Sequence, residues 1–248
     1  MKQIYSETKD KINNIALTMG FHLKGKTYYR LNSDYIQVFK IYTNYPSYSV
    51  RFYQVPLCGR FDKTTEGLDV SVFWNGNSMP FSLIELYSKD LYQDNPFGIQ
   101  ITQDNYVNEA SDILSRSVLE YVLPYFKESE NLEKAYESEY NLMVNAARLS
   151  KVVLNEEVEK YISIAYANIW ADWNLQMRRY DEALEFYKIR LNELRKYNNI
   201  NNYSELTNLI KKLNESDDEY INKYIHSRRF QNLKNIGLVR QYRTMMGI

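Results

Sequence analysis

The stretch YIQVFKIYTNYPSYSVRFYQV, residues 35–55, decides the fold because it holds two β-rich segments on either side of a turn. Residues 35–43 are rich in β-branched and aromatic side chains, and residues 48–55 alternate with a period of two, as a half-buried strand does. The Asn-Tyr-Pro-Ser sequence between them is typical of a turn. Two strands joined so closely predict an antiparallel pair.

The segment before this pair predicts one helix and one strand. Apolar residues recur at three- and four-residue spacing over residues 4–19, and Gly20 follows the last of them, where a left-handed C-cap favours glycine. Residues 27–31 predict a short strand, and Asn-Ser-Asp at 32–34 predicts the turn that leads into residue 35.

Further strands are predicted after the central pair. Residues 68–74 and 81–87 have strand character, and Asn75-Gly76 between them is the clearest hairpin signal in the chain. Residues 98–102 predict a short closing strand. Strands joined by short turns indicate an antiparallel meander.

The sequence changes character near residue 104, and helical periodicity then continues almost to the end. The predicted helices span residues 104–122, where Pro124 is expected to stop the helix, then 132–149, 156–173, 181–196, 203–213 and 217–226. The sequence therefore predicts an α+β fold, in which an N-terminal helix packs on an antiparallel sheet and a helical bundle follows. The predicted domains are an α+β domain at 1–127 and an all-helical region at 128–248 packed against it.

Two short stretches, LTMGFHLKGKTYYR at 17–30 and DYIQV at 34–38, carry a family resemblance. They combine a helix ending in Gly-Phe, a basic turn, an aromatic–Arg strand and an Ile-Gln-Val strand. This pattern resembles the opening of the bacterial family called domain of unknown function 4304, over about residues 5–60 and at its widest about 5–127. The resemblance implies an α+β domain with a curved antiparallel sheet. It carries no established activity, so it transfers no catalytic residue.

A second resemblance concerns RYDEALEFYKIRL at 179–191, which is similar to the second helix of a tetratricopeptide hairpin. Ala183 takes the small-residue position, and the hairpin would cover about residues 161–196. The preceding helix fits poorly, because Trp170 and Trp173 stand where smaller residues are usual. No second copy follows at the 34-residue period, so a hairpin inside a bundle is favoured over a peptide-binding array.

Composition narrows the class of protein. The chain has 248 residues, 44% of them hydrophobic and 25% charged, which is typical of a globular protein with its own core. Its 31 basic and 31 acidic residues cancel, which disfavours a surface devoted wholly to nucleic acid. One Cys and two His exclude an intrachain disulfide and a Cys/His structural zinc site, and we predict neither a metal nor a cofactor.

Targeting signals and reactive side chains are sparse. The N-terminal 21 residues lack the features of a signal peptide, and no apolar run is long enough for a membrane span, so a cytoplasmic location without membrane association is predicted. The lone Cys58 fits a reducing compartment and is interpreted as a small buried hydrophobe. His22 and His226 are interpreted as solvated side chains.

The candidate catalytic residues are Glu66, Asp69 and Glu85. Their carboxylates would converge if the strands at 68–74 and 81–87 pair, and two carboxylates in one cleft can perform the acid–base chemistry of a hydrolase. The alternative is that these carboxylates are solvated or paired with basic side chains, which is their usual state in proteins.

The C-terminal segment 220–248 carries six basic residues and no acidic one, interleaved with aromatic residues. Arg228, Arg229, Lys234 and Arg240 are its candidate binding residues, because such a pattern can hold phosphates and stack bases of a nucleic acid. The favoured alternative is that the segment docks on its own chain through its apolar residues. Its cations would then pair with the acidic stretch 128–139.

Trp170 and Trp173 are further binding candidates, because the basic residues Arg178 and Arg179 follow them and a cation–π site is conceivable. The favoured alternative is a core position for both indoles. Since no catalytic motif is present, the predicted function is non-catalytic: a bacterial cytoplasmic protein that binds another macromolecule. The expected partner is a protein, with an immunity protein that neutralises a toxin as one form. The alternatives are a hydrolase and nucleic-acid binding through 220–248.

Overall fold

The computed structural model describes residues 2–44, 47–59, 99–100, 106–150, 157–196 and 203–248, and it has the predicted α+β fold. A helix comes first, a sheet follows, and the described elements beyond residue 105 are helices joined by short turns. The elements are α1 (Lys2–Thr18), β1 (His22–Lys24), β2 (Thr27–Leu31), β3 (Tyr35–Asn44), β4 (Ser47–Pro56), β5 (Ile99–Gln100), α2 (Tyr106–Ser117), a π-helical segment (Val118–Val122), α3 (Leu123–Glu128), α4 (Leu132–Ser150), α5 (Val158–Ala165), α6 (Ala167–Gln176), α7 (Tyr180–Lys196), α8 (Tyr203–Asn214), α9 (Asp218–Asn235) and α10 (Val239–Met246).

The chain forms two compact units. The first, here the sheet unit, contains the described residues of Met1–Asn32, Ile36–Gln54 and Pro80–Val152. The second, here the helical unit, contains those of Ser33–Tyr35, Val55–Met79 and Val153–Ile248. Helix α4 lies in the sheet unit, although the predicted boundary after residue 127 assigns it to the helical region. Helix α4 belongs to the sheet unit because it packs on α3.

The sheet of the first unit has the strand order β1-β2-β3-β4-β5. Strands β2 and β3 are antiparallel, and their register places Arg30 opposite Gln37 and Tyr28 opposite Phe39. Side chains on a strand alternate between the two faces, so these four residues share one face of the sheet. On that face the Tyr28 and Phe39 rings stack, with their centroids 4.6 Å apart.

The helices of the sheet unit bury side chains that lie about one helical turn apart in the sequence. Helix α1 buries Ile4, Thr8, Ile12 and Ala16, and Gly20 follows it at a φ of 82°, which favours glycine. The helix predicted to stop at Pro124 instead passes through the π-helical segment and re-forms as α3. Pro124 stands in the first turn of α3, where its missing N–H is not needed by the helix.

The helical unit is built around α6 and α7. Its core contains the buried residues Cys58, Ala171, Leu175, Ala183, Tyr187, Leu191, Leu194, Leu206, Leu209, Ile210, Leu213, Ile221 and Ile225. The helix predicted at 156–173 is in fact two, because the backbone leaves helical geometry at Tyr166. The helix predicted at 217–226 continues to Asn235.

None of the described helices combines the length and the apolar character that crossing a bilayer requires.

Candidate functional site

Helix α9 carries three of the six predicted binding residues, namely Arg228, Arg229 and Lys234. Its N-terminus is capped by Asp217, whose carboxylate accepts a hydrogen bond from the Tyr220 backbone N–H at 3.0 Å. The buried side chains Ile221, Ile225 and Leu233 recur at helical spacing and hold one face of α9 in the helical unit. The helix therefore presents two faces of different chemistry, one inward and one outward.

The inward face carries a buried amide, Asn232, that holds the chain segment after β4. Its Nδ2 donates to the backbone oxygens of Leu57 at 2.8 Å and of Gly59 at 2.6 Å. Arg228 also donates to Gly59 O, at 3.3 Å. A Cβ at Gly59 would stand 3.0 Å from the Pro56 oxygen, so this turn is tight. Together these contacts form a polar clamp on residues 57–59.

Arg229 lies in an equally enclosed position. Its Nη2 forms an ion pair with Asp34 Oδ1 at 2.7 Å, and its Nη1 donates to the Tyr242 hydroxyl at 3.0 Å. Gln176 donates to the same Asp34 oxygen at 2.9 Å, and Tyr242 donates to the Ser33 backbone oxygen. This cluster fastens residues 33–34 and α10 to the inward face of α9.

The two predicted binding arginines are thus engaged within the helical unit. The side chains of Arg228 and Arg229 are only 15% and 13% exposed, and their carboxylate partners are Glu205 at 3.9 Å and Asp34. The prediction that the basic segment docks on its own chain is confirmed for the buried residues Leu233, Ile236 and Leu238. Phe230, which the docking prediction counts among the apolar residues that hold the segment, does not help to hold it, because Phe230 is 49% exposed.

Cys58 lies beside the clamp and is fully buried, as predicted. Its backbone N–H donates to Gln176 Oε1 at 3.1 Å, and its thiol donates to the Asp172 backbone oxygen at 3.4 Å. Burial, followed by the negative charge of Asp172, raises the pKa of the thiol well above its usual value. The thiol therefore stays protonated at neutral pH and is a poor nucleophile.

The carboxylate of Asp172 has a structural hydrogen bond of its own. Tyr187 donates its hydroxyl to Asp172 Oδ1 at 2.7 Å, which joins α6 to α7 in the core. Trp170 and Trp173 on α6 are both fully buried, and the indole N–H of Trp170 donates to the Ile162 oxygen at 3.0 Å. The interpretation of both tryptophans as core residues is therefore confirmed.

The outward face of α9 is basic with one aromatic ring. Lys223, His226, Phe230 and Lys234 are spaced by three or four residues, which places them on one side of the helix, and all four are exposed. We call this set the outer stripe. Neither lysine of the stripe forms an ion pair with any residue that the structure describes. The sequence predicts Lys234 as a binding residue and counts Phe230 among the aromatic residues that could stack bases, but it does not group these residues on one side of a helix.

Helix α10 adds further exposed residues of the same kinds. Arg240 and Arg243 are exposed and likewise make no ion pair within the described ranges, and Met245 and Met246 are each more than 40% exposed. Tyr242 faces inward instead, through its contacts with Arg229. The cations that remain available on α9 and α10 are therefore Lys223, Lys234, Arg240 and Arg243.

The candidate catalytic residues Glu66, Asp69 and Glu85 lie outside the described residues, as do the strands predicted at 68–74 and 81–87. Within the described part of the chain, no three His, Cys, Asp or Glu side chains form a group that could hold a metal ion.

Comparison of the chain with protein-family models, with curated proteins and with solved structures found no match.

Proposed function

We propose that this protein is non-catalytic and binds another protein, and that the contact is made by the outer stripe of α9. The partner surface we propose is acidic with an exposed apolar side chain. The carrying observation is the separation of charge on α9: the inward arginines form ion pairs with Asp34 and Glu205, whereas Lys223 and Lys234 are exposed and form no ion pair among the described residues.

The charge on the stripe supports an anionic partner. No acidic residue occurs after Glu219, so neither the later turns of α9 nor α10 bring a carboxylate next to Lys234, whereas Glu219 stands one turn before Lys223 without forming an ion pair within the described residues. Exposed positive charges attract a negatively charged surface and accelerate its association, and this effect weakens as salt is added. An acidic protein surface would meet both lysines without the repulsion that a basic surface would suffer.

The apolar side chains favour a protein over a nucleic acid. Single-stranded nucleic acids are held by several aromatic rings on which successive bases stack. Phe230 is exposed, but Tyr242 is buried, and the hydroxyls of Tyr220 and Tyr224 bond to Asn208 and Glu205. Phe and Met side chains are enriched at protein interfaces, where Met adapts to irregular surfaces. The exposed ring of α9 and the two exposed methionines of α10 match that chemistry.

The test uses photo-cross-linking in the native cell, with benzoylphenylalanine introduced at position 230 and, as a matched control, at position 188. Lys188 is exposed on α7 of the same unit. A protein that cross-links from position 230 and not from position 188 is then purified. Its affinity is measured for the wild-type chain and for the charge reversal Lys223→Glu/Lys234→Glu.

We expect the charge reversal to weaken that affinity at least about tenfold, with stronger binding at low salt. The control reversal, Lys160→Glu/Lys188→Glu, changes two exposed lysines elsewhere in the helical unit and should leave the affinity within about twofold. Equal loss in both reversals would refute the stripe as the contact. Salt-sensitive binding of a mixed single-stranded oligonucleotide that only the stripe reversal abolishes would instead identify a nucleic-acid protein.

Three narrower parts of the proposal rest on the sequence. An immunity-type role, in which the partner is a toxin, is one form of protein binding and would appear as a toxin among the cross-linked partners. A bacterial origin and a cytoplasmic location follow from the family resemblance and the lone Cys58. The hydrolase alternative depends on Glu66, Asp69 and Glu85 and stays a prediction, as does membership of the family of domain of unknown function 4304.

A further inference from the structure

A continuous series of polar side chains crosses the sheet unit; Arg30 at its start is partly buried, and Gln37, Gln54 and Ser129 are buried. Arg30 on β2 donates to Gln37 on β3 at 2.6 Å, and Gln37 donates to Gln54 on β4 at 2.7 Å. Gln54 in turn donates to the Ser129 hydroxyl at 2.9 Å, and Ser129 donates to the Tyr125 backbone oxygen at 3.1 Å. We call this series the polar seam. It joins three strands to α3 by side-chain hydrogen bonds.

Glu139 on α4 lies at the end of the polar seam, beside Tyr125 and Gln54. It accepts a hydrogen bond from the Tyr125 hydroxyl at 2.6 Å and another from the backbone of Gln54. The sequence suggested that Glu139 belongs to an acidic stretch that pairs with basic side chains at the surface. The structure places it in the interior, only 7% exposed, whereas Glu137 two residues earlier is exposed.

The surroundings of the Glu139 carboxyl contain no compensating cation within the described ranges. The groups that face it are the Tyr125 phenol from α3 and the Gln54 backbone from β4. On its own helix the residues one turn away are Ala135, Tyr136, Leu142 and Met143, none of which is charged at neutral pH.

The basic residues of β2 and β4, Arg30 and Arg51, contact other groups. Arg51 of β4 lies over the Tyr42 ring at 4.6 Å, and its neighbours Phe52 and Gln54 are the residues that face α3. Arg30, at the far end of the seam, binds the backbone oxygens of Met19 and Phe126. Among the described residues, only the two hydrogen bonds from Tyr125 and Gln54 therefore stabilise an ionised, buried Glu139.

We propose that Glu139 is a proton-controlled latch that holds α4 against α3 and β4, tight when the carboxyl is protonated and loosened when it is ionised. Burial raises its pKa to about 7, while the bonds from Tyr125 and Gln54 act in the opposite direction. The unfolded chain keeps the ordinary value of 4.5. The folded state thus binds one proton more than the unfolded state between these two values.

The direction of the effect follows from that difference. Below about pH 4.5 the protonated carboxyl contributes its full stabilisation to the folded state. This stabilisation decreases as the pH rises, and above about pH 7 the stability no longer depends on pH through Glu139. Within that window each pH unit lowers the folded-to-unfolded ratio by up to about tenfold. Small changes of pH near neutrality therefore change how firmly α4 is held.

The experiment measures urea unfolding of the full-length chain at several values between about pH 5 and about pH 8.5. We expect the wild-type midpoint to fall with rising pH, and we expect Glu139→Gln, which cannot ionise, to lose most of that fall. Glu137→Gln is the matched control, because it removes an exposed carboxylate from the same helix, and it should behave as the wild type does.

A second variant separates titration from simple packing. Tyr125→Phe removes the hydrogen bond that favours the ionised carboxyl, so the folded-state pKa should rise and the fall should extend to higher pH, while it still begins near the unfolded value of 4.5. The carboxyl resonance of Glu139 in the wild-type chain, assigned by its absence in Glu139→Gln or by its shift in Tyr125→Phe, should titrate near neutrality. Titration near the ordinary value of 4.5, or an unchanged pH dependence in Glu139→Gln, would overturn the proposal.

Discussion

Replacing Asn232 by Ala should be the most informative single change in the helical unit, because its amide donates hydrogen bonds to the backbone oxygens of two buried residues. The side chain donates to Leu57 O and to Gly59 O, and the residue is 3% exposed. Each hydrogen bond contributes about 1 kcal/mol net, and a buried carbonyl left without a donor costs about 1–3 kcal/mol more. Gly59 O keeps Arg228 as a donor, so mainly Leu57 O is orphaned.

The expected loss is therefore about 3 kcal/mol, which for a chain of this length corresponds to a fall in Tm of about 6–12 °C. Thermal and urea unfolding, followed by the fluorescence of Trp170 and Trp173 in the same unit, measure it directly. Gln231→Ala is the control, since Gln231 is the exposed neighbour on α9 and bonds only to Asn235 within the described residues. It should change stability by no more than about 0.5 kcal/mol.

Asn232→Asp extends the argument, because it keeps the shape and replaces the two donors by acceptors. Repulsion between the carboxylate and the two backbone oxygens should make this variant less stable than Asn232→Ala at neutral pH. Acidification should restore part of the loss, since a protonated carboxyl can again donate one hydrogen bond. If Asn232→Ala proves as mild as Gln231→Ala, the polar clamp on residues 57–59 does not exist as described.

Three further outcomes are expected. Cys58 should resist a thiol reagent at neutral pH until the chain unfolds, because burial raises the pKa of its thiol; rapid stoichiometric labelling of the native protein would contradict this. Arg30→Lys should destabilise the sheet unit by about 2–3 kcal/mol in urea unfolding, since one ammonium cannot reach Gln37, Met19 O and Phe126 O together; a change below about 0.5 kcal/mol would refute that. Deleting residues 236–248 should lower Tm even at high salt, because buried Ile236, Leu238 and Tyr242 hold the segment; a loss seen only at low salt would instead implicate ion pairs.

The sequence by itself determined the elements whose signals are local. Helix α1 and the strands β2, β3 and β4 follow from apolar spacing and from turn residues that act within a few positions of one another. The same reasoning anticipated a buried Cys58 and core tryptophans on α6, because side-chain size and periodicity limit where such residues can pack.

Boundaries were less well determined where neighbouring elements decide them. The sequence does not reveal the break at Tyr166, because apolar periodicity continues through it. It does not reveal the extension of α9 to Asn235 either, because the added turns have little apolar periodicity. Pro124 was read as a stop signal, but a proline is equally compatible with the first turn of a new helix, and only the π-helical segment before it distinguishes the two.

Only the tertiary structure decided which of the basic side chains are exposed for binding and which are paired with acidic ones. Arg228, Arg229 and Lys234 look equivalent in the sequence, yet two are matched by Asp34 and Glu205 and the third is exposed on the outer stripe. Asp34 lies 195 residues from Arg229, so no local pattern could reveal the pair. Glu139 likewise resembles its exposed neighbours until burial beside Tyr125 raises its pKa to about 7. Charge and spacing are properties of the chain, whereas the solvation and the partner of each charged group exist only once distant segments have packed together.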